Sequence, residues 1–119
     1  MRRARIANLT RDTVLAERAE VADTFPTRFM GLMGRRELEP GGGLVLTGTG
    51  SVHMFFMSIA LDIVFLAKDA RVLRAIENLK PWYVSPIVWG ATTTLELPVG
   101  TIAGTGTRTG DVIEIDSVA

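Results

Sequence analysis

The sequence contains no cysteine and a single histidine, His53. Without thiols there are no disulfides, no thiolate-bound zinc, no iron–sulfur cluster and no cysteine nucleophile. His53 is the one side chain whose ordinary pKa lies near neutrality, so it is the only unperturbed base for proton transfer at pH 7. Net charge is missing as well, because 13 basic and 13 acidic residues cancel. A balanced chain lacks the broad attraction on which nucleic-acid binding rests, and no nucleic-acid partner is expected. The three arginines among residues 1–5 read as a short solvated end.

A long apolar run is also missing. The longest stretch, residues 51–66 (SVHMFFMSIALDIVFL), falls short of the ~20 residues that a spanning helix needs. It carries Asp62 and is followed at once by Lys68, Asp69 and Arg71, so no transmembrane segment is expected. The basic N-terminal residues have no apolar core behind them, which argues against a signal peptide. As given, the chain reads as soluble and cytoplasmic; removal of a leader would instead place it in the envelope or periplasm. The glycines of residues 40–43 lack the spacing and the Lys-Ser/Thr of a phosphate-binding loop, so no nucleotide cofactor is expected.

What is present is one domain of 119 residues with a core of ordinary size. The central stretch reads as two strands, residues 52–57 and 61–66, because Val, Ile and Phe favour extended structure. In the second, Leu61, Ile63 and Phe65 alternate with Asp62, Val64 and Leu66, and both faces look covered. Asp62 therefore needs a partner: a buried carboxylate costs several kcal/mol unless it is paired or hydrogen-bonded. It is either a structural tie between a loop and the sheet or a site carboxylate with a perturbed pKa. His53 with Met54 and Met57 suggests a soft-metal site, but on a strand His53 and Met57 lie ~13 Å apart and Met54 points to the other face. No metal or cofactor is expected.

Elsewhere, residues 5–9 read as a short strand; residues 13–22 fit a strand or a helix, and the strand is preferred because it would pair with 5–9 as a hairpin. Residues 24–38 read as an amphipathic helix, with Thr24 as N-cap, Pro26 in the first turn and Phe25, Phe29, Leu32 and Met33 at helical spacing. Residues 44–46, 61–66 and 72–76 are strands, the last two joined by a turn at 68–71, and residues 77–81 leave the sheet. Residues 82–89 (WYVSPIVW) place Trp82, Tyr83 and Trp89 around Pro86. They are either a loop packing aromatics over a core edge or a binding lip. Residues 91–97 form a strand ended by Pro98, in which Glu96 faces solvent or a polar seam. Residues 99–106 hold a helical turn stopped by Gly106, and residues 112–115 form the last strand. The fold class is mainly β: a small β-sandwich or partly closed barrel with one short amphipathic helix.

The chain resembles the bacterial and archaeal "domain of unknown function 192" family. The resemblance rests on Arg28 with Gly31-Leu32-Met33-Gly34-Arg35, the 42–46 strand, His53 through Met57, Leu61-Asp62-Ile63-Val64-Phe65, Pro81-Trp82, Leu95-Glu96-Leu97 with Gly100, and Gly110-Asp111. It implies a small, mostly β domain and supplies no activity, substrate or catalytic residues. Three functions compete: a binding module for a small molecule or protein, using Trp82, Tyr83 and Trp89; a structural or assembly domain pairing through edge strands; and an enzyme using the polar set Arg28, His53 and Asp62 for proton transfer. The sequence leaves the oligomeric state open.

Overall fold

The computed structural model describes residues 2–22, 38–48 and 59–118. Seven strands follow in chain order: β1 (Arg2–Asn8), β2 (Thr13–Ala22), β3 (Gly42–Thr47), β4 (Leu61–Ala67), β5 (Val72–Leu79), β6 (Ala91–Leu97) and β7 (Ile113–Val118). A short helix, Thr101–Thr105, sits between β6 and β7. The strands make one sheet in the order β5-β4-β6-β3-β2-β1-β7. Only β2 and β3 run parallel; every other neighbouring pair is antiparallel.

The sheet curls until its two edges meet at one end. Arg71 bridges to Val112. The Val72 N–H donates to the Asp111 carbonyl at 2.8 Å, the Gly110 N–H to the Val72 carbonyl at 2.8 Å and the Ile113 N–H to the Ala70 carbonyl at 3.0 Å. The molecule is thus a curled half-barrel rather than two packed sheets. Curling creates two apolar layers. The inner one holds Ile6, Leu15, Val45, Val64, Leu66, Leu95, Leu97 and Ile113, with Ile102 sent in from the short helix. The outer one holds Leu44, Leu46, Leu61, Ile63, Phe65 and Leu79, against which Leu38, Ile59 and Val88 pack. This is why Leu61 through Leu66 are all buried: each face of β4 meets one layer. Gly43 is dictated by closeness, since a Cβ there would meet Leu97 Cδ2 at 3.0 Å and the Glu96 carbonyl at 3.2 Å.

The expected hairpin of residues 5–9 and 13–22 is present as β1 and β2, with β1 starting earlier. The strand over 72–76 is longer than expected. A register shift between Leu61 and Ile63 lets the chain bulge at Asn78 (φ 55) and pair again as Leu61↔Leu79, so departure from the sheet comes at residue 80. The expected helix over 24–38 and strand over 52–57 lie outside the described residues. The turn expected before Gly106 is the helix Thr101–Thr105, with Gly106 as its left-handed C-cap.

Candidate functional site

β5 and β6 both run antiparallel to β4, so they are parallel to each other. Leu79 ends β5 beside Leu61, and Ala91 opens β6 beside Ala67. Residues 80–90 must therefore traverse the whole length of β4. They do so over the outer apolar layer, where Val88 packs and Ser85 is buried. The remaining bulky side chains of this crossover face water. Trp82 is 58% exposed, Tyr83 59%, Val84 55%, Ile87 64% and Trp89 86%. They include both tryptophans and the one tyrosine of the chain.

The crossover begins with a tight turn. The Tyr83 N–H donates to the Lys80 carbonyl at 3.2 Å, which puts Pro81 and Trp82 at its two central positions. Trp82 has φ 69, the left-handed region that a type II turn requires at its second central residue and that glycine ordinarily supplies. For an L side chain this conformation costs about 1–2 kcal/mol. At the far end, Gly90 helps to line a shallow, open cleft with Ala67, Lys68, Asp69 and Arg71. Asp69 and Arg71 form an exposed ion pair at 3.4 Å. The two lysines of the chain, Lys68 and Lys80, thus stand at opposite ends of the crossover.

Asp62 is fully buried on the inner face, and backbone donors surround it. The Asn78 N–H donates to Oδ1 at 2.9 Å, and the Gly100 and Ile102 N–H groups donate to Oδ2 at 3.1 and 2.9 Å. The carboxylate ties β4 to the bulge of β5 and to the first turn of the short helix, which has no side-chain cap of its own. This geometry fits a structural tie. Of the polar set Arg28, His53 and Asp62, only Asp62 lies within the described residues.

Two further acidic groups stand out. Asp111 accepts from Asn8 Nδ2 at 2.9 Å, Arg11 Nε at 3.2 Å and the Arg108 N–H at 3.1 Å. Burial alone would raise its pKa, but these hydrogen bonds and the Arg11 charge hold it below the ordinary value. It braces the end where the sheet edges meet. Glu96 settles one half of a sequence expectation, since it does not face solvent. It is 7% exposed and sits on the outer face between its cross-strand neighbours Leu44 and Ile63. Thr94, also buried, shares that face. No hydrogen bond or ion pair to the Glu96 carboxyl is seen among the described residues, and burial pushes its pKa up to about 7. The Leu-Glu-Leu alternation suggests a wet face. The contrary signal is that β3 and β4, its neighbours, are apolar on both faces.

Among the described residues, no group of three or more His, Asp or Glu is placed to hold a metal ion. No helix there is long and apolar enough to cross a membrane.

The model of the DUF192 family, described as "Uncharacterized ACR", matches residues 7–115. The chain belongs to this family. A UPF0127 protein of Thermococcus sibiricus is 32% identical to this DUF192 chain, over 92% of the chain and 73% of the relative. The UPF0127 protein PYRAB11210 of Pyrococcus abyssi is 28% identical over 92% of the chain and 95% of its own length. Among solved structures, a protein of unknown function from Novosphingobium aromaticivorans superimposes with a TM-score of 0.80 at 26% identity, covering 94% of this chain and 83% of that one. A Sinorhizobium meliloti protein, provisionally described as a transcription regulator, gives 0.81 at 27% identity, covering 96% and 92%. The DUF192 family is of uncharacterised function, and the likeness supplies the half-barrel without a catalytic role.

Proposed function

We propose that this DUF192 domain is a non-catalytic binding module for a small molecule or a protein partner, and that its contact surface is the crossover of residues 81–89. The observation that carries the reading is the outward presentation of Trp82, Tyr83 and Trp89 together on one connecting segment. Exposed Trp and Tyr are ordinarily scarce, and contact surfaces are enriched in them. The backbone of Trp82 supports the same reading. A bulky residue held in the left-handed region is a local cost that recurs at functional positions. The enzyme reading has less behind it, because three backbone N–H groups already occupy the Asp62 carboxylate.

The test is thermal unfolding against a panel of sugars, nucleotides, lipids and small acids, run on the wild type and on Trp89→Ser. A ligand at 100 times its dissociation constant adds ~2.7 kcal/mol, a midpoint shift on the order of 10 °C for a domain of this size. The shift is expected in the wild type and absent in the variant. A ligand that shifts both equally binds elsewhere, and the crossover then loses its assigned role.

A further inference from the structure

Glu96 is ill suited to the layer that surrounds it. β6 is a central strand, flanked by β3 and β4, and on its outer face Leu44 and Ile63 stand directly across from Glu96. One row along, Leu46 and Phe65 stand across from Thr94 in the same way. An apolar side chain at position 96 would continue this layer, whereas an unpaired carboxylate in it loses its hydration and gains no counter-charge. Its oxygens are nevertheless reachable. Among the described residues, no fully enclosed side-chain oxygen or nitrogen lacks a hydrogen-bond partner. The Glu96 oxygens have no partner, so they are not fully enclosed, and part of the residue's slight exposure falls on them. The result is a carboxyl at the floor of a small opening with apolar walls. We propose that this opening is a second binding site, separate from the outward face of the crossover, and that it takes a small organic cation: an ammonium group set against the Glu96 carboxylate, with its alkyl chain against Leu44 and Ile63.

The chemistry of the opening selects that class. A neutral hydrogen-bonding ligand could be met by a glutamine at this position, without an ionisable group in an apolar layer. An anion would set like charge against the carboxylate. A metal ion needs several oxygen ligands, and no group of three or more His, Asp or Glu among the described residues is placed to supply them. An alkylammonium needs one carboxylate and an apolar wall, which β3, β6 and β4 together present. Thr94 is already engaged, so the charge of the site rests on Glu96. The other charged groups of this face stand a strand further out: Glu20 of β2 opposite Leu44, and Arg74 of β5 opposite Phe65. The segments laid over the layer bring Glu39, next to Leu38, and Lys80 and Tyr83 of the crossover. None of these is paired with Glu96: burial is the one cause of its raised pKa, which stands at about 7. A bound cation favours the ionised carboxylate, so binding releases a proton where Glu96 is protonated and tightens as pH rises through that value.

The probe is n-butylammonium chloride, titrated into the full chain at pH 8 and pH 6 and followed by NMR, with sodium chloride holding the ionic strength fixed. An alkylammonium keeps its charge at both values, since its pKa is ~10.4. At pH 8 the signals of Leu44, Ile63 and Thr94 should shift and saturate. About nine-tenths of Glu96 is ionised at pH 8 and about one-tenth at pH 6, so the affinity should be about tenfold weaker at pH 6. This comparison needs no variant. Glu96→Gln, whose fold the same spectra verify, should lose the response, and the neutral analogue n-butyramide should give none at either pH. No saturable shift at pH 8 overturns the site, as does a Glu96→Gln protein that binds like the wild type. An affinity that holds or rises at pH 6, or binding of n-butyramide, overturns the cation. Trp89→Ser should bind the probe as the wild type does; if it does not, the two sites are one and the separate site falls. If instead no ligand-induced thermal shift depends on Trp89, the crossover loses its role and the Glu96 site stands.

Discussion

Among the described residues, Glu96 is the one whose ionisation the fold resists most. Its carboxyl lies on the outer apolar layer beside Leu44 and Ile63, and burial moves its pKa from 4.5 to about 7. The folded state therefore holds the proton more tightly than the unfolded chain does. Stability from this group is complete below the unfolded pKa near 4.5 and is lost as pH rises through about 7. The difference is roughly 3 kcal/mol, at 1.36 kcal/mol per pKa unit. Urea unfolding at pH 5 and pH 8 should show the wild type weaker at the higher pH. Glu96→Gln, which carries no charge at either pH, should flatten that dependence and be the more stable protein at pH 8. Identical pH slopes for the two proteins would mean that Glu96 does not titrate in this range. Two positions away along the same strand and on the same face, Thr94 is equally enclosed, so the outer layer is not purely apolar at its centre.

At the scale of elements, the short connections carry as much of the architecture as the strands. The helix Thr101–Thr105 is too brief to hold itself and is anchored by Asp62, whose carboxylate also fixes the Asn78 bulge of β5. Asp62→Ala would leave three N–H groups without their acceptor, of which the Ile102 group is buried and those of Asn78 and Gly100 only partly so, a loss of about 1–3 kcal/mol for the buried group and less for the other two. Asp62→Asn keeps one acceptor oxygen and should lose less. Chemical denaturation of the two variants checks the order; an Asp62→Ala protein as stable as the wild type would remove the anchoring role. The β4–β5 turn invites the opposite change. Ala70 has φ 69, strained for an L residue, and its small side chain makes little else. Ala70→Gly should raise stability by about 0.5–1 kcal/mol, relief of the left-handed strain outweighing the added freedom of the unfolded chain. A fall in the unfolding midpoint would contradict this. Ala70 also accepts the Ile113 N–H at 3.0 Å, so the substitution reports on the closure between the sheet edges.

Across the whole molecule, what could be read from the chain divides along the range of the interactions. The bounds of β6 follow from local composition, since a Thr and Leu run bounded by turn residues needs no knowledge of neighbours, whereas residues 13–22 fit strand or helix by composition and read as a strand only through pairing with residues 5–9. The helical turn before Gly106 is local in the same sense. The order β5-β4-β6-β3-β2-β1-β7, the parallel pairing of β2 with β3 and the bridge between Arg71 and Val112 depend on partners tens of residues away, and no periodicity encodes them. Local sequence leaves Glu96 between solvent and a polar seam for that reason: its surroundings are set by β3 and β4, not by Leu95 and Leu97. The aromatic segment stood undecided between core and lip because the same residues serve both. In the structure the crossover turns Val88 and Ser85 inward and leaves the rings exposed. Of the polar set, the buried demand of Asp62 was legible, whereas its donors were not, being backbone groups supplied by a bulge and a helix start.

The pairing of β1 with β7 gives the domain a mechanical character. Arg3 stands opposite Val118 and Asn8 opposite Ile113, so the outermost residues of these two strands lie side by side at the same end of the ladder. Tension applied between them acts across the strands and loads the rungs one after another rather than all together. Pulled at Arg3 and Val118, the half-barrel peels open like a zip at low force. Held at Asn8 and Val118 instead, the same two strands would be drawn lengthwise past each other, every rung sharing the load, and the domain would resist.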